Sequence, residues 1–317
     1  MPCYHPLNGY RSRVLNPSGK RNIVFNPSQG FLDQPLTVPC GQCIGCRLDR
    51  SRQWAIRCHH EAMLHEKNCF ITLTYAPEHV PSVSVIHSRK TYQYLVKKHF
   101  QDFMKRLRKK YGKGIRYFHC GEYGEKNARP HYHACIFNFD FPDKILWKQP
   151  RGTNTKLYTS ESLGRLWPYG FTTIGDVTFE SAAYVARYIT KKITGSDAVS
   201  HYNDHDPCTG EIFAERIPEY ITMSLKPGIG AGWLQKFHAD VYPKDEIIMR
   251  EKKLKPPKYY DKIYDQYDPL QFNKIKQKRI ELAKQNTEHN TPERLAVREM
   301  IKQLAAKKLI RSYENET

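Results

Sequence analysis

The chain has no long apolar run. No window approaches the ~20 consecutive apolar residues that span a bilayer, and the opening Met1-Pro2-Cys3-Tyr4-His5-Pro6 lacks the apolar core of a signal peptide. These absences predict an intracellular, cytoplasmic protein that makes no use of a membrane. Acidic residues are scarce, 32 Asp plus Glu against 51 Lys plus Arg, and the net charge of +19 calls for a polyanionic partner. Cysteines are not an even set. Nine are present, three of them in Cys40-Gly-Gln-Cys43-Ile-Gly-Cys46, a spacing that favours a metal site over a disulfide framework. There is no internal repeat, and no Gly-x-x-x-x-Gly-Lys-Ser/Thr run of an ATP-driven motor. What the chain does have is 317 residues, 39% hydrophobic and 12% aromatic, enough for a modest core in one large domain or two smaller ones.

Residues 1–38, rich in Pro, Asn, Ser and Gly, read as loops with a short strand around Ile23-Val24-Phe25. Residues 47–66 place Trp54, Cys58 and Ala62 four apart, which suits a helix with a basic outer side. The β-branched and aromatic run 69–75 reads as a strand. Residues 92–111 form an amphipathic helix with Phe100, Phe103, Met104, Leu107 and Tyr111 on one face. Strands at 115–121 and 131–139 flank a turn at 124–129; after a mixed loop come a short helix near 160–167 and a strand at 171–177. Thr178 can cap the helix that follows. Residues 219–225 read as an edge strand, a basic linker starts near Lys244, and two helices end the chain, the last entered by Thr291-Pro292.

The pattern richest in chemistry is Arg129-Pro-His131-Tyr-His133-Ala-Cys-Ile-Phe137. A His-x-His pair alone is ambiguous, because strands also carry histidines for packing. Along a strand, however, His131 and His133 point the same way, and a hairpin brings the face of Phe118, Cys120 and Glu122 beside them. Glu122 is therefore the expected third ligand, with Glu125 as the fallback, while His119 falls on the opposite face. Two imidazoles and one carboxylate leave coordination positions open, as a catalytic ion needs. Nitrogen ligands make Mn²⁺ the better chemical match, although abundance would let Mg²⁺ serve.

Some fifty residues later, Ser181, Tyr184, Tyr188 and Lys191 recur at three- and four-residue steps and share one helical stripe. An aromatic stripe is more often core than chemistry. Here Arg187, Lys191 and Lys192 make the helix basic, and cations beside a phenol of pKa about 10 favour the phenolate. Tyrosine is a sensible nucleophile on DNA, because a phosphotyrosine conserves the energy of the cleaved bond and permits resealing without ATP.

Phe70-Ile-Thr-Leu-Thr74, the His131-x-His133 pair and Tyr184-x-x-x-Tyr188-x-x-Lys191 resemble, in order and spacing, the three motifs of the HUH endonuclease superfamily. With Met-Pro-Cys at the start and Pro39-Cys-Gly-Gln-Cys43, the chain is more similar still to the replication initiators of gokushoviruses, small single-stranded DNA phages. The resemblance covers about residues 1–240. It implies an α+β fold, a central antiparallel sheet with helices on one face and the metal on the other. It implies rolling-circle replication: a metal-dependent nick at the viral origin, a 5′-phosphotyrosine intermediate, and rejoining of the displaced strand. By position Tyr184 and Tyr188 would be nucleophiles, Lys191 the supporting cation, and His131, His133 and Glu122 the metal ligands. The partners implied are single-stranded and duplex viral origin DNA and the host replication machinery, in the bacterial host cytoplasm.

Cys40, Cys43 and Cys46 could bind a structural Zn²⁺ with Cys3 as fourth thiolate, with Gly41 and Gly45 easing the turns; an iron–sulfur cluster is the lesser rival. The expected division is a Cys-rich segment with a basic helix (1–66), the nuclease domain (67–242), and a basic linker with C-terminal helices (243–317). Competing readings are a plasmid or transposon relaxase or transposase with the same chemistry, a non-catalytic zinc-containing DNA-binding protein, and a metal hydrolase that uses water.

Overall fold

The computed structural model describes residues 3–85, 90–124, 127–149, 155–187, 192, 197–205, 210, 212–285 and 287–307. Among them, 3–50 with 276–307 form one compact unit and 51–275 the other. The smaller unit begins with an antiparallel sheet of β1 (Leu7–Leu15), β2 (Arg21–Val24) and β3 (Gly30–Val38), in the order β2-β1-β3. β2 meets the short strand expected around Ile23-Val24-Phe25, whereas β1 and β3 replace the loops expected elsewhere before residue 38. The strands are mostly exposed, so no apolar alternation marks them in the sequence, and ladder hydrogen bonds rather than a buried face hold them. Helix α1 (Ile44–Ala62) follows and starts earlier than its periodicity indicates.

The larger unit is built on a seven-stranded antiparallel sheet. Its strands are β4 (Asn68–Thr74), β7 (Arg116–Tyr123), β8 (Pro130–Phe137), β9 (Ile145–Lys148), β10 (Leu157–Thr159), β11 (Thr172–Gly175) and β14 (Tyr220–Met223). The order is β14-β7-β8-β4-β11-β10-β9, with β14 at an edge as expected; β9 and β10 lie in the stretch read as a mixed loop. The hairpin β5 (Ser82–Val85) and β6 (Lys90–Gln93) precedes α2 (Lys97–Tyr111), and α3 (Glu161–Leu166) is capped by the Ser160 hydroxyl. Thr178 Oγ1 accepts from the Ser181 amide at 3.1 Å and opens α4 (Phe179–Arg187) as expected.

Both faces of this sheet are covered, which corrects the expected one-faced arrangement. Every residue of β8 is buried, and period-2 alternation sends Tyr132, Ala134 and Ile136 to one side and His131, His133, Cys135 and Phe137 to the other. On the first side lie Phe100, Phe103, Met104 and Leu107 of α2 with Leu163 and Leu166 of α3. Each such side chain contributes roughly 1.5–3 kcal/mol of burial. Ala55 and Cys58 of α1 and Ala182, Tyr184, Val185 and Ala186 of α4 close the second. A strand buried on both faces needs two apolar layers, and α1 helps supply the second through the Trp54, Cys58 and Ala62 side opposite its basic outer side.

Shorter elements follow: α5 (Asp197–Tyr202), β12 (Asn203–His205), β13 (Ile212–Glu215), α6 (Ala231–Val241), β15 (Ile247–Met249), β16 (Lys252–Leu254) and α7 (Lys258–Tyr267). Tyr260 and Tyr264 of α7 are buried with Trp233, Leu234 and Val241 of α6, in a stretch whose lysines read as linker. Helices α8 (Pro269–Gln285) and α9 (Pro292–Lys307) end the described chain, with Pro292 at the first position of α9.

Candidate metal centre and active site

Pairing of β7 with β8 sets Glu122 directly opposite His131 and Cys120 opposite His133. One carboxylate oxygen, Glu122 Oε1, meets both imidazoles: it lies 2.7 Å from His131 Nε2 and 2.9 Å from His133 Nε2. Glu122 is fully buried and both histidines are nearly so. The opposite ring nitrogens are held in turn. His131 Nδ1–H donates to the Arg129 carbonyl at 3.0 Å, and His133 Nδ1 shares a hydrogen bond of 2.9 Å with the Thr72 hydroxyl.

This arrangement has a chemical consequence. A carbonyl only accepts, so the proton of a neutral His131 sits on Nδ1, and a lone pair at Nε2 faces a carboxylate oxygen. Two acceptors at that distance require a cation between them, either a proton or a metal ion. Burial alone would raise the Glu122 carboxyl; the facing His131 and His133 outweigh it and hold the pKa down to about 2. Glu122, His131 and His133 bring their ligand atoms within 4.8 Å of one another, and the nitrogen–oxygen donor set fits a divalent cation with open positions.

Tyr184 enters from α4. Its ring stands edge-on to His133 with centroids 5.1 Å apart, and Phe70 of β4 stacks on His133 at 5.7 Å. The Arg187 guanidinium lies 5.8 Å from the Tyr184 ring centroid. The structure thus gathers Glu122, His131, His133 and Tyr184. Tyr188, Lys191 and the fallback ligand Glu125 lie outside the described residues. His119 packs on the α2 face against Phe100, as its parity requires. Sequence reading assigned no role to Thr72, although 70, 72 and 74 share a face of β4, a parity that could have placed Thr72 behind His133.

A second cluster lies in the smaller unit. The sulfurs of Cys3, Cys40, Cys43 and Cys46 all fall within 4.8 Å of one another. Gly41 adopts φ +75, a left-handed turn that glycine suits, whereas Gly45 lies within α1 rather than in a turn. Burial pushes the Cys43 thiol up, but amide N–H groups of Tyr4 and Cys46 aimed at its sulfur prevail and bring it to about 7.

The family model for replication-associated protein ORF2/G2P matches residues 68–193, a span that holds the Glu122, His131, His133 and Tyr184 group and excludes the four cysteines. The chain is 34% identical over 277 residues to replication-associated protein ORF2 of Spiroplasma virus 4, covering 83% of this chain and 77% of the relative. The chain belongs to the phage replication-associated protein family. A second member, replication-associated protein VP4 of Bdellovibrio phage phiMH2K, is 34% identical over 297 residues, 89% of this chain and 84% of its own. Replication-associated protein ORF4 of Chlamydia phage 1 is 32% identical over 168 residues, 50% of this chain and 40% of its own. No solved structure matches the chain. Among the described residues no helix is long and apolar enough to cross a membrane.

Proposed function

We propose that the chain initiates rolling-circle replication of phage DNA by a metal-dependent, site-specific nick at the origin, forming a 5′-phosphotyrosine link and later rejoining the displaced strand. The observation that carries this reading is the Tyr184 ring against His133, centroids 5.1 Å apart, beside a buried carboxylate shared by two imidazoles. In the first transfer the Tyr184 oxygen attacks the scissile phosphorus. A phosphorus–phenol bond forms as the bond to the 3′ oxygen breaks, the phenol gives up its proton, and the leaving 3′ oxygen takes one up.

Glu122, His131 and His133 would hold Mg²⁺ or Mn²⁺, which when bound supplies Lewis-acid polarisation of a non-bridging phosphate oxygen. The Arg129 carbonyl sets the Nδ1–H tautomer of His131 and the Thr72 hydroxyl holds the His133 ring, so both Nε2 atoms face the site without reorganisation. Tyr188 as second nucleophile and Lys191 as supporting cation are assigned from their spacing on the Tyr184 stripe. We place the chemistry in residues 67–242, with 243–317 adding basic surface for DNA. The net charge of +19 would hold single-stranded and duplex origin DNA through phosphates, with affinity that falls steeply as salt rises. The freed 3′ hydroxyl would pass to host polymerase in the host cytoplasm.

The test is a denaturing gel of the protein incubated with labelled, origin-bearing single-stranded DNA and Mn²⁺. Wild type should give a covalent band that the Tyr184→Phe, Tyr188→Phe double variant loses. Salt-sensitive binding with no cleavage would replace this reading with a non-catalytic DNA-binding protein, and cleavage without an adduct would make water the nucleophile.

A further inference from the structure

The smaller unit is short of core. Among its described residues the buried apolar side chains are those of Cys3, Cys43, Cys46 and Leu295, while β1 and β3 are largely exposed. A three-stranded sheet with so little apolar burial is marginal in water, and small modules in this position rely on disulfides or metals. None of the four cysteines forms a disulfide, and their sulfurs converge within 4.8 Å.

Backbone amides already point at the sulfurs. The Cys40 amide donates to Cys3 Sγ at 3.2 Å, the Tyr4 amide to Cys43 Sγ at 3.3 Å, and the Gln42 and Cys43 amides to Cys40 Sγ at 3.4 and 3.3 Å. Four N–H donors aimed at three sulfurs suit thiolates, which accept strongly, better than thiols, which accept weakly. Four thiolates packed together without a cation would repel one another. Tetrahedral zinc at Zn–S of about 2.3 Å places its sulfurs roughly 3.8 Å apart, which the 4.8 Å limit on the cluster accommodates.

We propose that Cys3, Cys40, Cys43 and Cys46 bind one structural zinc ion that takes the place of a hydrophobic core in the smaller unit. The ion ties the chain ahead of β1 to the segment after β3 and to the first turn of α1, closing the base of the three-stranded sheet. All four protein positions are filled, so the site has no open position for substrate and its role is folding. This inference stands apart from the nicking reading, because the ligands and the test differ.

The experiment is metal analysis of the purified full chain by mass spectrometry, on wild type, Glu122→Ala and Cys43→Ser. Zinc at about one per chain in wild type and Glu122→Ala, lost in Cys43→Ser, is expected. Limited proteolysis of wild type should then show residues 3–50 protected until a chelator strong enough for thiolate zinc is added. Should Cys43→Ser fail to fold, cobalt exchanged into wild type decides the matter, since sulfur-to-cobalt charge-transfer absorption reports tetrathiolate binding directly. Iron in place of zinc, zinc that disappears with Glu122 instead, absence of the cobalt bands, or undiminished protection after zinc removal would each overturn the proposal.

Discussion

His119 and His133 are both 1% exposed, and each stands opposite a threonine on a neighbouring strand, Thr222 and Thr72 respectively. Each shares a hydrogen bond of 2.9 Å between Nδ1 and that threonine hydroxyl. They differ at the other nitrogen. His133 Nε2 meets Glu122, whereas His119 Nε2 has no hydrogen-bond partner among the described residues and its ring stacks on Phe100 at 3.4 Å. Burial and the neighbouring charge of His133 hold His119 well below the usual histidine range, so it stays neutral. Burial and a threonine are therefore common to a packing histidine and a candidate ligand. What separates them is one carboxylate, and strand parity decides which histidine receives it.

The sharpest way to break the comparison is Glu122→Gln, which keeps volume and removes charge. Nicking in Mn²⁺ should fall more than about 100-fold, exceeding the loss typical of a group that only supports a ligand. Unchanged rates across a metal titration would put Glu122 with the packing residues. Next in size is Thr72→Val. Freed of its partner, His133 should hold metal about 10–100-fold more weakly, read by isothermal titration, whereas Thr222→Val should leave metal affinity as it was. Equal effects of the two threonine changes would erase the distinction between the histidines.

A third histidine extends the comparison to stability. His60 Nδ1 lies 3.0 Å from the Tyr260 hydroxyl, its ring stacks on Trp233 at 3.5 Å, and burial with the nearby His59 lowers its pKa to about 3. The unfolded chain takes up a proton on His60 near pH 6.5, while the folded chain resists until about pH 3. Its contribution is thus complete above about pH 6.5 and is lost as pH falls toward 3. Between pH 7 and about 4.5 this should cost about 2–3 kcal/mol in denaturant unfolding, and His60→Gln should flatten that slope. The smallest expected effect is on Thr222→Val itself, about 1–2 kcal/mol of stability from a buried nitrogen left without its partner.

The same parity explains how much was legible in the residues. Placing His131, His133 and Glu122 on one face and His119 on the other needs only the alternation of strands and one hairpin, both local. Thr178 as a cap and the apolar stripe of α2 were likewise local patterns. The β1–β3 sheet was not, since exposed strands leave no alternation to read. The apolar stripe of α1 was legible at Trp54, Cys58 and Ala62, all of which pack in the second layer; that this stripe covers the other face of the sheet shows only against Phe118 and Cys135. Thr72 was visible as a letter in a motif, but its role needs the neighbouring strand in register with His133.

A tyrosine ester is the centre of the proposed chemistry. Its most direct measurement is peptide mass spectrometry of protein reacted with an origin oligonucleotide and Mn²⁺, then trimmed by nuclease. A nucleotide carried by the peptide holding Tyr184 and Tyr188 is the predicted result. Cleaved DNA with those tyrosines unmodified, or a nucleotide on any other side chain, would contradict it.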